Sequence, residues 1–246
     1  MTNKAKKDEK LSAEQICKIL HISKRKCAWM YTQKELDRIV ELFNGIEGNK
    51  EHEYAAPTYK DSPALKEMAE IILGCTEDTA EVLPEKITVL TYLSKCYDEM
   101  CRAGMSVKYY KMLLECYVKL SKLEKLSKDD KKHFEEAFYN AVKARNWYVA
   151  DDCADLKEIV SGAISDKKVD ELYQKAVDSR KGLPKNDPVE LSEEYLAVID
   201  EVEELVEKNK KVNVCFEYWN LKSDYLEERG IRWCSPAMLN PGVMFD

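Results

Sequence analysis

The run Pro84–Tyr117, PEKITVLTYLSKCYDEMCRAGMSVKYYKMLLECY, decides the fold class. Ile87, Leu90, Leu93 and Tyr97 recur at steps of three and four residues. Tyr109, Tyr110, Leu113, Leu114 and Tyr117 do the same further on. That spacing gathers the apolar side chains on one face of a 3.6-period helix, whereas a half-buried strand would alternate with period two. Pro84 suits the opening turn of the first helix. Gly104 predicts its stop and Ser106 the cap of the next, so the run reads as two helices packed antiparallel across a short connection.

The same punctuation extends in both directions. Ser62-Pro63 reads as a cap followed by Pro at the first helical position, with Leu65, Met68, Ile71 and Ile72 leading to Gly74. A short helix is expected from about Glu77 to Pro84. Ser127 with Asp130 three residues later is a capping-box variant ahead of Phe134, Phe138 and Val142. Asp187-Pro188-Val189-Glu190 combines a cap, Pro at the first position and a reciprocal Glu, and so predicts the start of a helix. In that helix Leu191, Tyr195, Val198, Val202 and Leu205 form a short heptad seam. The last helix should end at Gly230. With only 8 Gly and 7 Pro in 246 residues and no bounded period-two stretch, the chain is expected to be all-α. The architecture is read as a small N-terminal helix-turn-helix followed by a stack of antiparallel helical hairpins.

Charge divides the chain. The whole carries −7, yet residues 1–31 hold eight Lys/Arg against three Asp/Glu, a net of +5, which leaves −12 for the other 215. Glu47–Asp61 has little periodicity and reads as a linker. The expected organisation is a basic head over residues 1–46, an acidic helical body over 62–230 and an extended apolar tail over 231–246. Residues 187–207 carry nine acidic side chains and no basic one. They read as the solvated back of a core-facing helix or as a docking face for a basic partner. Nine cysteines, an odd number with no C-x-x-C, fit small apolar residues in a reducing cytoplasm better than a disulfide framework. The Lys-rich start has no apolar signal segment, and no run is long and apolar enough to suggest a membrane span.

One local signal points to a function. Ala13–Leu20 makes a short amphipathic helix, His21-Ile22-Ser23 a turn with a capping Ser, and Lys24-Arg25-Lys26-Cys27-Ala28-Trp29-Met30 the start of a second helix. The wording from Leu20 to Met30 resembles the excisionase and MerR-like helix-turn-helix heads of bacterial mobile elements, over about residues 11–31. Three cations in the first turn oppose the positive end of the helix dipole, roughly 0.3–1 kcal/mol each where exposed. A phosphate backbone removes that penalty. The resemblance implies that Lys24, Arg25 and Lys26 contact double-stranded DNA, with Lys18 and Ser23 as further contacts. Thr32–Phe43 departs from such heads by continuing as amphipathic helix, through Leu36, Ile39, Val40 and Phe43, where they turn into a basic wing.

The body has a vaguer likeness. Leu90, Leu93, Tyr97 and Tyr110, with Arg145–Ala150 as an inter-helix turn, resemble apolar positions of tetratricopeptide hairpins, without a steady 34-residue period. A protein partner or self-association through this body is expected. The tail Trp233–Phe245 is apolar and Pro-interrupted, and reads as an arm laid back on the body, with Trp219 and Trp233 in its seat, or as a docking peptide. Phosphate-loop, dinucleotide and hydrolase motifs are missing, and Asp151, Asp152 and Asp155 read as a solvated face rather than an acid/base pair. No catalytic residue, cofactor or metal ligand is assigned. The reading is a non-catalytic DNA-binding regulator with an acidic interaction body; the alternative is an interaction scaffold that binds no nucleic acid.

Overall fold

The computed structural model describes residues 33–52, 56–148, 152–211 and 214–245. The protein is all-α. Among the described residues there are ten α-helices and no strand, and consecutive helices pack in antiparallel fashion. They are α1 Gln33–His52, α2 Ser62–Gly74, α3 Leu83–Glu99, α4 Ala103–Leu123, α5 Lys128–Arg145, α6 Ala154–Val160, α7 Asp166–Arg180, α8 Glu193–Asn209, α9 Cys215–Glu227 and α10 Pro236–Leu239. Two 3-10 turns, Tyr59–Asp61 and Pro188–Leu191, precede α2 and α8.

Aromatic pairs mark the steps of the stack. Phe43 of α1 meets Tyr92 of α3 at 5.0 Å between ring centroids, Tyr97 of α3 stacks on Tyr109 of α4 at 5.3 Å, and Tyr117 of α4 stacks on Phe134 of α5 at 5.0 Å. Each such contact adds about 0.5–1.5 kcal/mol to the burial of the rings themselves. One contiguous core runs from Ile39 of α1 to Trp233 beyond α9. The period read from Pro84–Tyr117 is the period observed: Leu90, Leu93 and Tyr97 of α3, and Tyr109, Tyr110, Leu113, Leu114 and Tyr117 of α4, are all buried. The Ser127 capping box is formed, its hydroxyl accepting the Asp130 N–H at 3.0 Å while Asp130 accepts the Ser127 N–H at 3.1 Å.

Several expected boundaries fall elsewhere, each for a physical reason. Cys75–Thr79 is irregular instead of helical, because the buried Lys86 ammonium draws the chain down through the Glu77 carbonyl at 2.8 Å and the Asp78 carboxylate at 2.9 Å. Gly104 does not stop α3. Cys101 does, in the left-handed region at φ 56°, with Arg102 N–H reaching back to the Tyr97 carbonyl and Cys101 N–H to that of Asp98. Ser106 therefore lies inside α4, buried, and donates to the Ser94 carbonyl at 3.1 Å rather than capping a helix. Gly230, at φ 75°, closes α9 by the same device, as expected. The stretch read as a linker is helical as far as His52, and Asn49 of α1 donates to the buried Asp61 at 2.5 Å ahead of α2. The seam of α8 is rotated by one residue. Tyr195, Ile199, Val202 and Val206 are buried, whereas Val198 and Leu205 are half-buried.

Two glycines in helices give opposite expectations for one substitution. A Cβ at Gly104 would lie 2.2 Å from the Glu190 carbonyl oxygen, whereas Gly45, exposed on α1, has open space around it. Gly45→Ala should raise unfolding stability by about 0.5–1 kcal/mol through backbone entropy. Gly104→Ala should lower it by about 1–3 kcal/mol, since backbone must shift to admit the methyl group. Urea unfolding of the two variants checks both signs.

Candidate functional site

Buried hydrogen bonds and ion pairs come together where α4, α8, α9 and the tail meet. Asp187 starts the arrangement by accepting the Val189 N–H at 3.0 Å, which closes the Pro188–Leu191 turn; Ser192 then caps α8 through the Tyr195 N–H. The reciprocal role expected of Glu190 is not what it does. Its side chain points inward and is buried: one oxygen accepts from Trp233 Nε1 at 2.7 Å, the other from the Tyr148 hydroxyl at 3.3 Å. That hydroxyl in turn accepts the Gly104 N–H at 2.8 Å. Lys222 of α9 lies 3.8 Å from Glu190, with its ammonium 4.6 Å from the Trp233 ring centre and 5.4 Å from that of Tyr195.

A second charged group adjoins the first. The buried Arg102 guanidinium bonds Asp200 and Glu203 of α8, and donates to the Ser62 hydroxyl at 3.2 Å; Lys66 of α2 also pairs with Asp200. Burial opposes the charge on Arg102, but Glu203 and Asp200 outweigh it and raise its pKa further. Burial likewise pulls the Asp200 carboxyl up, yet Arg102 and the hydrogen bonds from Lys66, Arg102 and Ser62 hold it below its ordinary range. Between these groups is a cavity of about 260 Å3 lined by Tyr148, Glu190, Tyr195, Tyr218, Lys222 and Trp233. Burial first, then the adjacent carboxylates, pushes the Tyr148, Tyr195 and Tyr218 hydroxyls well above their ordinary pKa. They stay protonated, and serve as hydrogen-bonding groups and not as bases. The arrangement clamps four elements by mutual pairing, as buried charges require.

The tail completes it. The Cys234 N–H donates to Asp187 at 2.6 Å, and the Asn240 side chain exchanges two hydrogen bonds with the Lys185 backbone, at 2.9 and 2.8 Å. Phe245 meets Trp219 edge-on at 5.1 Å. The tail is thus an arm packed on its own body, with one helical turn, Pro236–Leu239, that the two prolines had argued against. Its outer side is different in character. Among the described residues eight large apolar side chains are exposed: Met238, Leu239, Val243 and Met244 on the tail, Leu183 ahead of the Pro188–Leu191 turn, Val214 and Phe216 at the start of α9, and Leu123 at the end of α4.

The expected DNA-contacting residues, Lys18, Ser23, Lys24, Arg25 and Lys26, lie outside the described residues, as does the rest of Ala13–Tyr31. The nine acids of residues 187–207 are within them, and eight have partners. Asp187 and Glu190 hold the tail, Asp200 and Glu203 hold Arg102, and Glu193, Glu201, Glu204 and Glu207 pair with Lys108, Arg229, Lys208 and Lys210. Asp155 pairs with Lys111 and Arg145. Among the described residues no group of three or more His, Cys, Asp or Glu side chains is placed to hold a metal, and no helix is long and apolar enough to cross a membrane. Sequence reasoning missed Arg102, Tyr148 and Lys222. Lys222 carried a readable signal: it stands on the stripe Trp219, Lys222, Leu226 of α9, where an apolar residue is the rule. Comparison with models of known families, with curated proteins and with solved structures finds no match.

Glu190→Gln keeps an acceptor for Trp233 but leaves the Lys222 ammonium buried without its counter-charge. It should cost about 3–5 kcal/mol of unfolding stability, and adding Lys222→Met should recover part of the loss. The pH dependence follows from Asp200. A carboxylate whose folded pKa is depressed stabilises the fold above its unfolded pKa of about 3.9, and that contribution is lost as pH falls through the lower folded value. Asp200→Asn should therefore be less stable near neutrality and lose less further stability below about pH 4, as read from urea midpoints.

Proposed function

We propose that the chain is a non-catalytic, cytoplasmic DNA-binding protein of the mobile-element regulator type, whose N-terminal helix-turn-helix contacts duplex DNA and whose acidic helical body engages a protein or self-associates. The observation that carries this reading is the segregation of charge around a helix-turn-helix wording, +5 over residues 1–31 against −12 over the rest. Lys24, Arg25 and Lys26 are the recognition-helix contacts, with Lys18 and Ser23 on the phosphate backbone. Pairing within the body supports this division of labour: Lys66, Lys86, Arg102, Lys119 and Arg229 each meet a carboxylate there. Phosphate contacts belong to the head. The second reading, a scaffold without nucleic-acid binding, is favoured by the exposed apolar residues around the tail, which mark a protein-contact surface.

Binding of the full-length chain to mixed-sequence duplex DNA across a salt series separates the two. The wild type should bind with affinity falling steeply as salt rises. The triple variant Lys24→Glu, Arg25→Glu, Lys26→Glu should lose that binding, with helical content unchanged by circular dichroism. Each phosphate contact removed should flatten the log–log salt slope by about 0.9. A wild-type chain that does not bind at low salt leaves the scaffold reading standing.

A further inference from the structure

Two polar side chains in the cavity beside Glu190 are left without hydrogen bonds. Lys222 is 7% exposed, yet its ammonium finds no acceptor within bonding distance among the described residues, the nearest Glu190 oxygen being 3.8 Å away. Tyr195 is 4% exposed, and among the same residues its hydroxyl neither donates nor accepts. Both line the cavity of about 260 Å3, and the ammonium lies 5.4 Å from the centre of the Tyr195 ring, so the two groups are neighbours on its wall. Buried polar groups are nearly always bonded, whether to protein, to water or to a ligand. The charged groups around these two are already committed, Glu190 to Trp233 and Tyr148, and Arg102 to Asp200 and Glu203. The exposed Cys101 and the half-buried Pro236 also line the cavity, which is therefore open to solvent.

We propose that this cavity binds a small uncharged molecule, a single planar ring bearing a carbonyl group, whose oxygen accepts from Lys222 and Tyr195 while the ring packs among Tyr218, Trp219 and Trp233. The site belongs to the helical body and does not depend on DNA binding. Three features select this class of ligand. The first is hydrogen bonding. The ammonium can only donate and the hydroxyl has a proton to give, and a carbonyl oxygen answers both with its two lone pairs. The second is charge. The ionised groups that line the cavity balance, Arg102 and Lys222 against Glu190 and Glu203, so a ligand with a net charge would lie there without a counter-charge. An external ammonium is excluded further, because Lys222 already sits over the Trp233 ring, 4.6 Å from its centre. The third is size. Drug-sized ligands occupy about 300–1,000 Å3, and a cavity just below that range takes one ring, held by aromatic walls.

An NMR titration of the nitrogen-15-labelled full-length chain tests it, with benzamide as the probe and benzoate and benzylammonium as charged counterparts of similar size. Benzamide should shift the indole N–H resonances of Trp219 and Trp233 with a Kd on the order of 1 mM. Each charged counterpart should bind at least tenfold more weakly. Tyr195→Phe is the deciding variant. Its hydroxyl has no partner within the fold, so the circular dichroism melt should stay where it is or rise, while benzamide affinity falls roughly threefold to tenfold. No shift with benzamide at ten times the expected Kd leaves water as the occupant and overturns the proposal. Equal binding of benzoate overturns it, as does an affinity that Tyr195→Phe leaves unchanged. A lowered melt for Tyr195→Phe overturns it too, since the hydroxyl would then be bonded within the fold. None of these results bears on DNA binding by the head.

Discussion

The backbone of Glu190 lies against the first turn of α4, and much of the molecule follows from that approach. Only glycine at position 104 leaves room for it. With the Pro188–Leu191 turn held there by Asp187, the Glu190 side chain is directed into the protein. A carboxylate in that position must be hydrogen-bonded and paired. The groups that satisfy it come from three distant parts of the chain: Tyr148 beyond α5, Lys222 on α9 and Trp233 at the root of the tail. A buried pair of this kind contributes little net stability compared with well-packed apolar residues, but breaking it is costly. Its effect is to specify where α9 and the tail sit, which apolar contacts alone would define less sharply.

The helices were legible because their apolar period is local information. Ile87 to Tyr97 and Tyr109 to Tyr117 face the core wherever the rest of the chain goes, and the Ser127 box and Gly230 act through neighbours within a few residues. What was not legible depends on distant residues. Gly104 looks like a helix stop until the Glu190 backbone is beside it. Glu190 looks like a capping residue until Trp233 and Lys222 are in place, some 30 to 40 residues further along. The Cys101 turn hides because a left-handed cysteine has no sequence signature comparable with glycine's. The Glu77 region was misread for a related reason: its conformation is set by Lys86, a cation that is buried only after α3 has packed.

The acidic run of α8 shows how composition and structure separate. Nine carboxylates without an intervening cation invite the reading of a docking face, yet cations from α2, α4, the end of α8 and the turn after α9 pair with most of them. Exposed pairs of this sort contribute little each, about 0–1 kcal/mol, and are screened by salt. Their consequence is for partner choice. They reduce the pull that the run would exert on a basic surface, while the chain's net negative charge still disfavours acidic ones.

The two ends of the tail are held by different physics. Trp233 and Cys234 are fixed by hydrogen bonds to the buried or half-buried carboxylates Glu190 and Asp187, strong because the acceptors are charged. Met244, by contrast, projects into solvent. The inner end sets the position of the arm, and the outer end is free to be covered by another molecule without disturbing the core.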